Sequence, residues 1–292
     1  MKRGYFSVFL AASMWGTLGI FATYIYRYGV DSFTMVFWRV LFALIILGTY
    51  ISVFLRENPF TSERLWFYAI YGFVGVFMFY TLYFYTVKIS SVGFAVLLVY
   101  TAPAFSVLLG KVVFGEPLSP EKVIALVLVL VGIVLVAGNV NLASASTLAL
   151  VTGIGTGLTY AVYGILAKFG VRNEKPERVL FMTLFFGLLF LAPFSKFSVP
   201  RGALPYLLGL AFFPTFLGYV LYNYALREVE VSRASIIATV EPVVAIVLAY
   251  VLFRETLSYV QLGGAVLIVG GSVLVHLTGK ESPEEEVIEE VH

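Results

Sequence analysis

Ten apolar stretches, each long enough to cross a bilayer as a helix, constrain this chain more than any other feature. A hydrocarbon core about 30 Å thick takes roughly 20 helical residues, and in lipid only helices or closed barrels satisfy every backbone donor and acceptor. The stretches run near residues 5–26, 33–54, 65–87, 92–114, 123–138, 148–167, 179–195, 204–226, 234–253 and 260–277. The fifth and seventh are short. With 60% hydrophobic and 12% charged residues, against about 25% charged in a soluble domain, the expected fold class is an all-α polytopic membrane protein with ten transmembrane helices. Met1-Lys2-Arg3 resembles the charged start of a secretory signal. The apolar segment from Tyr5 to Tyr26 exceeds the roughly 7–15 residues of a signal's core, so it reads as a retained first span.

The same composition excludes several classes. With no Cys, disulfides, iron–sulfur clusters and thiol chemistry fall away, and His276 and His292 are too few to ligate zinc. No metal and no cofactor are expected. A net charge of +2, spread over connections between apolar spans rather than on one basic face, implies no nucleic-acid partner. The partners expected are the lipid bilayer and a small-molecule substrate. Residues 280–292 read as an acidic, solvated cytoplasmic tail without chemistry.

Lys and Arg set the orientation, because cytoplasmic segments carry their excess. With the N-terminus inside, the inner segments hold Lys2, Arg3, Arg56, Arg64, Lys122, Lys168, Arg172, Lys175, Arg178, Arg227, Arg233 and Lys280. The outer ones hold only Arg27, Lys88, Lys196, Arg201 and Arg254. Both termini are therefore expected in the cytoplasm, in a multi-pass protein of the cell membrane. Arg39 and Lys111 fall inside spans near their edges, from where long side chains can snorkel to the headgroups.

Sliding the chain by 139 residues superposes its halves without a gap from about residue 80 to 136. Tyr80, Leu82, Tyr83 and Tyr85 meet Tyr219, Leu221, Tyr222 and Tyr224; Pro103 meets Pro242; Glu116 meets Glu255; Gly132 meets Gly271. The chain thus divides into five-helix repeats at 1–139 and 140–279. Five is odd, so the second copy enters the membrane from the opposite side. Inverted repeats are the architecture of secondary transporters, which hold substrate near the midplane between the repeats, at interrupted helices. Arg39-Val-Leu-Phe42 also meets Arg178-Val-Leu-Phe181, but one arginine is in a span and the other closes a charged loop, so that match is read as accidental.

Pro103 and Pro242 are the matching helix breakers. Each lacks an amide donor and crowds the carbonyl four residues earlier, on Val99 and Ala238. A lone proline can merely kink a packed helix; symmetric placement favours a site. Glu241 stands about 11 Å into its span at 1.5 Å per residue. A carboxylate there needs a partner or a wet cavity, or takes up a proton. It can bind a substrate ammonium, carry a coupling proton, or only brace the break at Pro242. Tyr80 and Tyr83 share one helix face, as do Tyr219, Tyr222 and Asn223, and Trp15, Tyr160 and Tyr163 add walls suited to apolar, aromatic or cationic solutes. Taken singly, each aromatic is more simply a packing or lipid-facing residue. Gly153, Gly157, Ala161 and Gly164, and the pairs Gly263 with Gly270 and Gly264 with Gly271, read as close-packing stripes.

These residues carry a resemblance to the drug/metabolite transporter superfamily, in its ten-span type with two EamA-type domains. It is similar at Trp15-Gly16, at Ala95 to Pro103 leading to Gly115-Glu-Pro-Leu-Ser119, and at Ala234-Ser-Ile-Ile-Ala-Thr-Val-Glu-Pro242 leading to Arg254-Glu-Thr-Leu-Ser258. The resemblance implies a central cavity formed largely by the first, third, fourth, sixth, eighth and ninth spans, and export of amino acids or other metabolites. It places Trp15, Tyr80, Tyr83, Pro103, Tyr160, Tyr163, Tyr219, Tyr222, Glu241 and Pro242 on cavity-forming helices. The chain departs from the family at Tyr160, where small or polar residues are usual.

The expected function is alternating-access transport, outward, of small organic solutes such as amino acids, related metabolites or lipophilic compounds. A sugar-phosphate or nucleotide-sugar exchanger would need Lys or Arg at mid-membrane, and Arg39 and Lys111 both lie near edges. An intramembrane enzyme would need a nucleophile with its base or clustered acids. No span holds two mid-membrane carboxylates, and the chain is read as no enzyme.

Overall fold

A computed structural model describes residues 2–60, 63–138, 146–254 and 256–278; the tail at 280–292 and Glu255 lie outside them. The ten spans are helices at Arg3–Tyr26, Ser32–Phe54, Leu65–Ile89, Val92–Phe114, Pro120–Ala137, Thr147–Asn173, Pro176–Phe194, Arg201–Glu228, Val231–Phe253 and Tyr259–Leu277. Local chemistry sets their starts. Asp31 accepts the Thr34 amide at 3.0 Å and its hydroxyl at 2.9 Å ahead of the second span, and Ser119 accepts the Lys122 amide ahead of the fifth. Ser258 and Gln261 form a reciprocal capping box ahead of the tenth.

Two spans outrun the apolar pattern. The sixth continues to Asn173 because Lys168, which ends the hydrophobic run, turns inward and donates to the Val229 carbonyl at 2.9 Å. The seventh starts at Pro176, where a missing amide costs nothing in the first turn. Arg178 then sits in that turn, bonded to Glu174 and Glu57 at the surface, an environment unlike that of Arg39.

The repeats are inverted. Tyr5 of the first span meets His276 of the tenth edge to face at 5.0 Å, so both ends of the bundle's chain share one face, the termini face. The third span begins on this face, where Phe67 packs on Phe169 near the end of the sixth. Its repeat counterpart, the eighth, ends there, with the Glu228 carboxylate accepting the Gly4 amide at 3.0 Å. Packing obeys the same exchange: the first span packs on the eighth and ninth as the sixth packs on the third and fourth, while the second and seventh, fourth and ninth, and fifth and tenth pair with their own counterparts.

Glycine permits the fifth–tenth approach: a Cβ on Gly264 would stand 2.6 Å from the Gly132 carbonyl, and one on Gly271 would stand 2.9 Å from that of Ala125. Gly263 and Gly270, expected in a second stripe, have no atom within 4 Å where a Cβ would stand. Only the Gly264 and Gly271 face packs. Gly153, Gly157 and Gly164 do lie against other spans, at Leu98, Thr101 and Tyr222 respectively.

Candidate functional site

Three spans break near their middles. The fourth is interrupted at Tyr100 and Thr101, the ninth at Thr239, and the first at Gly16 and Thr17. At each break a threonine hydroxyl donates to the carbonyl three residues back: Thr101 to Leu98 at 2.7 Å, Thr239 to Ile236 at 2.6 Å, Thr17 to Met14 at 2.6 Å. This satisfies acceptors released by the interruption. Two breaks fall just ahead of Pro103 and Pro242, as the prolines suggest; the third has no proline and escaped sequence reading. Glycine on a neighbouring span backs both proline breaks. A Cβ on Gly157 would stand 2.1 Å from Thr101 Oγ1, and one on Gly16 would stand 2.8 Å from Val244 and 3.0 Å from the Glu241 carbonyl.

The third and eighth spans carry wide π-helical turns at Phe73–Met78 and Ala211–Leu217, which disturb the i to i−4 ladder. Pro214 lies inside the second. Its carbonyl accepts the Trp15 indole N–H at 3.0 Å. Thr215 donates to the Leu210 carbonyl at 2.8 Å and accepts Arg39 Nε at 3.1 Å. The loosened turn thus anchors two side chains from other spans.

Trp15 is the hub of the aromatic wall, with ring centroids 5.1 Å from Tyr219, 5.2 Å from Tyr222 and 6.5 Å from Tyr160. Gly218 makes room, since a Cβ there would lie 2.8 Å from the indole nitrogen. Tyr163 joins through Tyr219 at 5.3 Å. Phe79 links Tyr160 to Tyr80 and Tyr83. The structure therefore gathers seven of the aromatics singled out by sequence into one continuous surface.

Glu241 opens onto this surface. It is only partly buried, and no hydrogen bond or ion pair engages its carboxylate among the described residues. Its electrostatic neighbours are Tyr83, Tyr100, Tyr160, Tyr219 and Arg39.

Two expectations change. Arg39 does not snorkel: it is 4% exposed, tied to Thr215, with its guanidinium carbon 5.5 Å over the Tyr80 ring. The hydroxyl and the ring supply inside the bundle what headgroups would supply outside. Asn223, grouped by helical spacing with Tyr219 and Tyr222, turns instead to the seventh span, where its amide donates to the Pro176 carbonyl at 3.4 Å. Sequence reading did not single out Tyr100, Pro214 or Thr215. Pro214 had the same signal as the other two, a proline inside an apolar span.

On the termini face a charged clamp closes the bundle. Glu116, buried at the end of the fourth span, accepts the amides of Val231 at 2.7 Å and Ser232 at 3.0 Å and the Ser232 hydroxyl. Lys168 stands 3.8 Å from it. Beside it Lys122 pairs with Glu230 at 2.8 Å, and Arg233 bonds the same carboxylate and the Val275 carbonyl.

Ten helices in two inverted repeats, with broken spans facing an aromatic interior and one carboxylate, define a membrane transporter rather than an enzyme. The EamA-like transporter family model matches residues 2–138 and again 147–277, and the chain belongs to that family. An uncharacterized transporter of Archaeoglobus fulgidus is 29% identical over 94% of this chain and 96% of its own length. A protein of Salmonella typhimurium named as a probable amino-acid metabolite efflux pump is 27% identical over 61% of this chain and 65% of its own. A solved crystal structure matches with a TM-score of 0.80 at 19% identity, over 94% of this chain and 99% of that one, which supports the fold.

Proposed function

We propose that this transporter exports small organic solutes, amino acids and related metabolites foremost, by alternating access across the cell membrane, with both termini in the cytoplasm. The observation that carries the reading is Glu241: a carboxylate with no hydrogen-bond or ion-pair partner among the described residues, at the break of the ninth span, beside the aromatic wall. It is free to hold a substrate ammonium or to exchange a proton as the site changes sides. The breaks in the first, fourth and ninth spans are the joints about which the two ends open in turn, and the Glu116 clamp is the closed end. The efflux pump of Salmonella typhimurium and a similarly named relative from Escherichia coli, 25% identical over 61% of this chain, support the substrate class and direction. The twelve inner Lys and Arg residues against five outer support the orientation.

The inward Arg39 brings the phosphate-exchanger reading one point of support. A phosphate dianion would nevertheless stand beside Glu241, a like charge, so the organic-solute reading is preferred. Flux into proteoliposomes tests it. Glu241→Gln is expected to abolish uptake of amines and zwitterions or to remove its pH dependence; unchanged flux with unchanged pH dependence would take Glu241 out of the mechanism.

A further inference from the structure

We propose that Arg39 is the anion-recognition residue of this site, and that the solute is a zwitterion with its carboxylate on Arg39 and its ammonium on Glu241. The proposal rests on the transport reading above and narrows its substrate class. A guanidinium inside a membrane protein calls for a counter-charge, yet among the described residues no carboxylate lies within 4.0 Å of Arg39. Its partners are neutral: Thr215 Oγ1 takes Nε, and the Tyr80 ring covers one face. That leaves the two terminal nitrogens, the pair whose spacing matches a carboxylate bidentately. Neither makes a hydrogen bond among the described residues.

Thr215 is itself pinned to the Leu210 carbonyl by the π-helical turn, so the guanidinium is held before any ligand arrives, which lowers the ordering cost of binding. Glu241 is within electrostatic range of Arg39 but not in contact with it. Among the described residues neither side chain has a charged partner within 4.0 Å.

Charge balance selects the ligand. With Glu241 ionised, Arg39 and Glu241 together are neutral, and a zwitterion pairs both without adding charge. An amine alone leaves Arg39 unpaired; a carboxylate or phosphate alone leaves Glu241 unpaired. The wall of Trp15, Tyr160 and Tyr219 faces the remainder of the molecule and suits an apolar or aromatic side chain.

The test is ligand-induced melting of the full-length protein in nanodiscs, with L-phenylalanine, phenethylamine, 3-phenylpropionate and glucose 6-phosphate as probes. Wild type should bind phenylalanine about tenfold or more tightly than either single-charge analogue. In Arg39→Gln the ratio of phenylalanine to phenethylamine affinity should collapse toward one, with Arg39→Lys intermediate. Thr215→Val, which keeps the charge but frees it, should lower that ratio a few-fold and covers the case in which Arg39→Gln does not fold. Equal weakening of both ligands in Arg39→Gln, no discrimination by wild type, or tighter binding of glucose 6-phosphate would each overturn the assignment. If no probe shifts wild-type melting and no amine or zwitterion is carried in proteoliposomes, the transport reading itself falls, and this one with it.

Discussion

Val92–Val99 and Val231–Ala238 occupy the same place in the two repeats, and the structure caps them in opposite ways. Ser91 accepts the Phe94 amide at 3.2 Å from within its own helix. The ninth span begins after Glu230, whose side chain makes no cap, and its first amides are taken by Glu116 at the end of the fourth. All eight residues of Val231–Ala238 are buried, against four of eight in Val92–Val99. A self-capped helix end can move as a unit with its own span. One capped from across the repeat boundary moves only if the fourth and ninth spans part, so any opening at the termini face would have to break Glu116's bonds.

Removing each cap in turn should separate the two helix ends most widely. Glu116→Ala should cost about 3–5 kcal/mol, as expected when a buried ionic network loses one member, while Ser91→Ala should cost about 1 kcal/mol, the ordinary value of a cap. Thermal unfolding in one detergent measures both; equal losses would erase the difference between the repeats. The two proline breaks come next. Gly157→Ala pushes a methyl into Thr101 and the Leu98 carbonyl, whereas Gly16→Ala meets chiefly the Val244 side chain. Overpacking costs about 1–3 kcal/mol, and the Gly157 change should fall at the upper end because a backbone atom cannot rotate away.

A smaller effect is expected at Trp15→Phe, which orphans the Pro214 carbonyl at about 1 kcal/mol. Ile154, on the sixth span, is 41% exposed, and Ile154→Ala should leave melting nearly unchanged. The smallest concerns Glu57, whose carboxyl is held below its usual range by the Lys175 hydrogen bond and by the Lys175 and Arg178 charges. A depressed acid stabilises the fold above its ordinary value near 4.3 and loses that contribution as pH falls through the depressed one. Wild type and Glu57→Gln should therefore differ slightly at pH 7 and converge only in acid below that ordinary value; divergence on acidification would contradict the pairing.

Legibility followed the range of the physics. The spans were readable because apolar length is a local property, and the repeat because a fixed offset of 139 brings the tyrosines, prolines and glycines into register. The breaks at Pro103 and Pro242 were readable because proline acts within four residues of itself. The break at Gly16 and Thr17 was not, since it depends on the ninth span packing against that glycine. Arg39 was misplaced because its depth alone suggested snorkelling, and the hydroxyl that holds it lies 176 residues away. Asn223 was grouped with the wall because helical spacing says which side chains share a face but not which neighbour that face meets.

The sequence by itself determined the number of crossings, the inverted duplication, and the presence of one carboxylate beside a proline in the ninth span, since hydropathy and proline chemistry act through the residue and its near neighbours. The packing of distant helices settled that Arg39 turns inward onto Thr215 and Tyr80, that Glu116 caps the ninth span from the end of the fourth, and that Trp15 gathers the tyrosines. Each of these is a pairing between helices distant in the chain. Bilayer burial places such helices side by side, and the side chains then settle which polar groups pair across them.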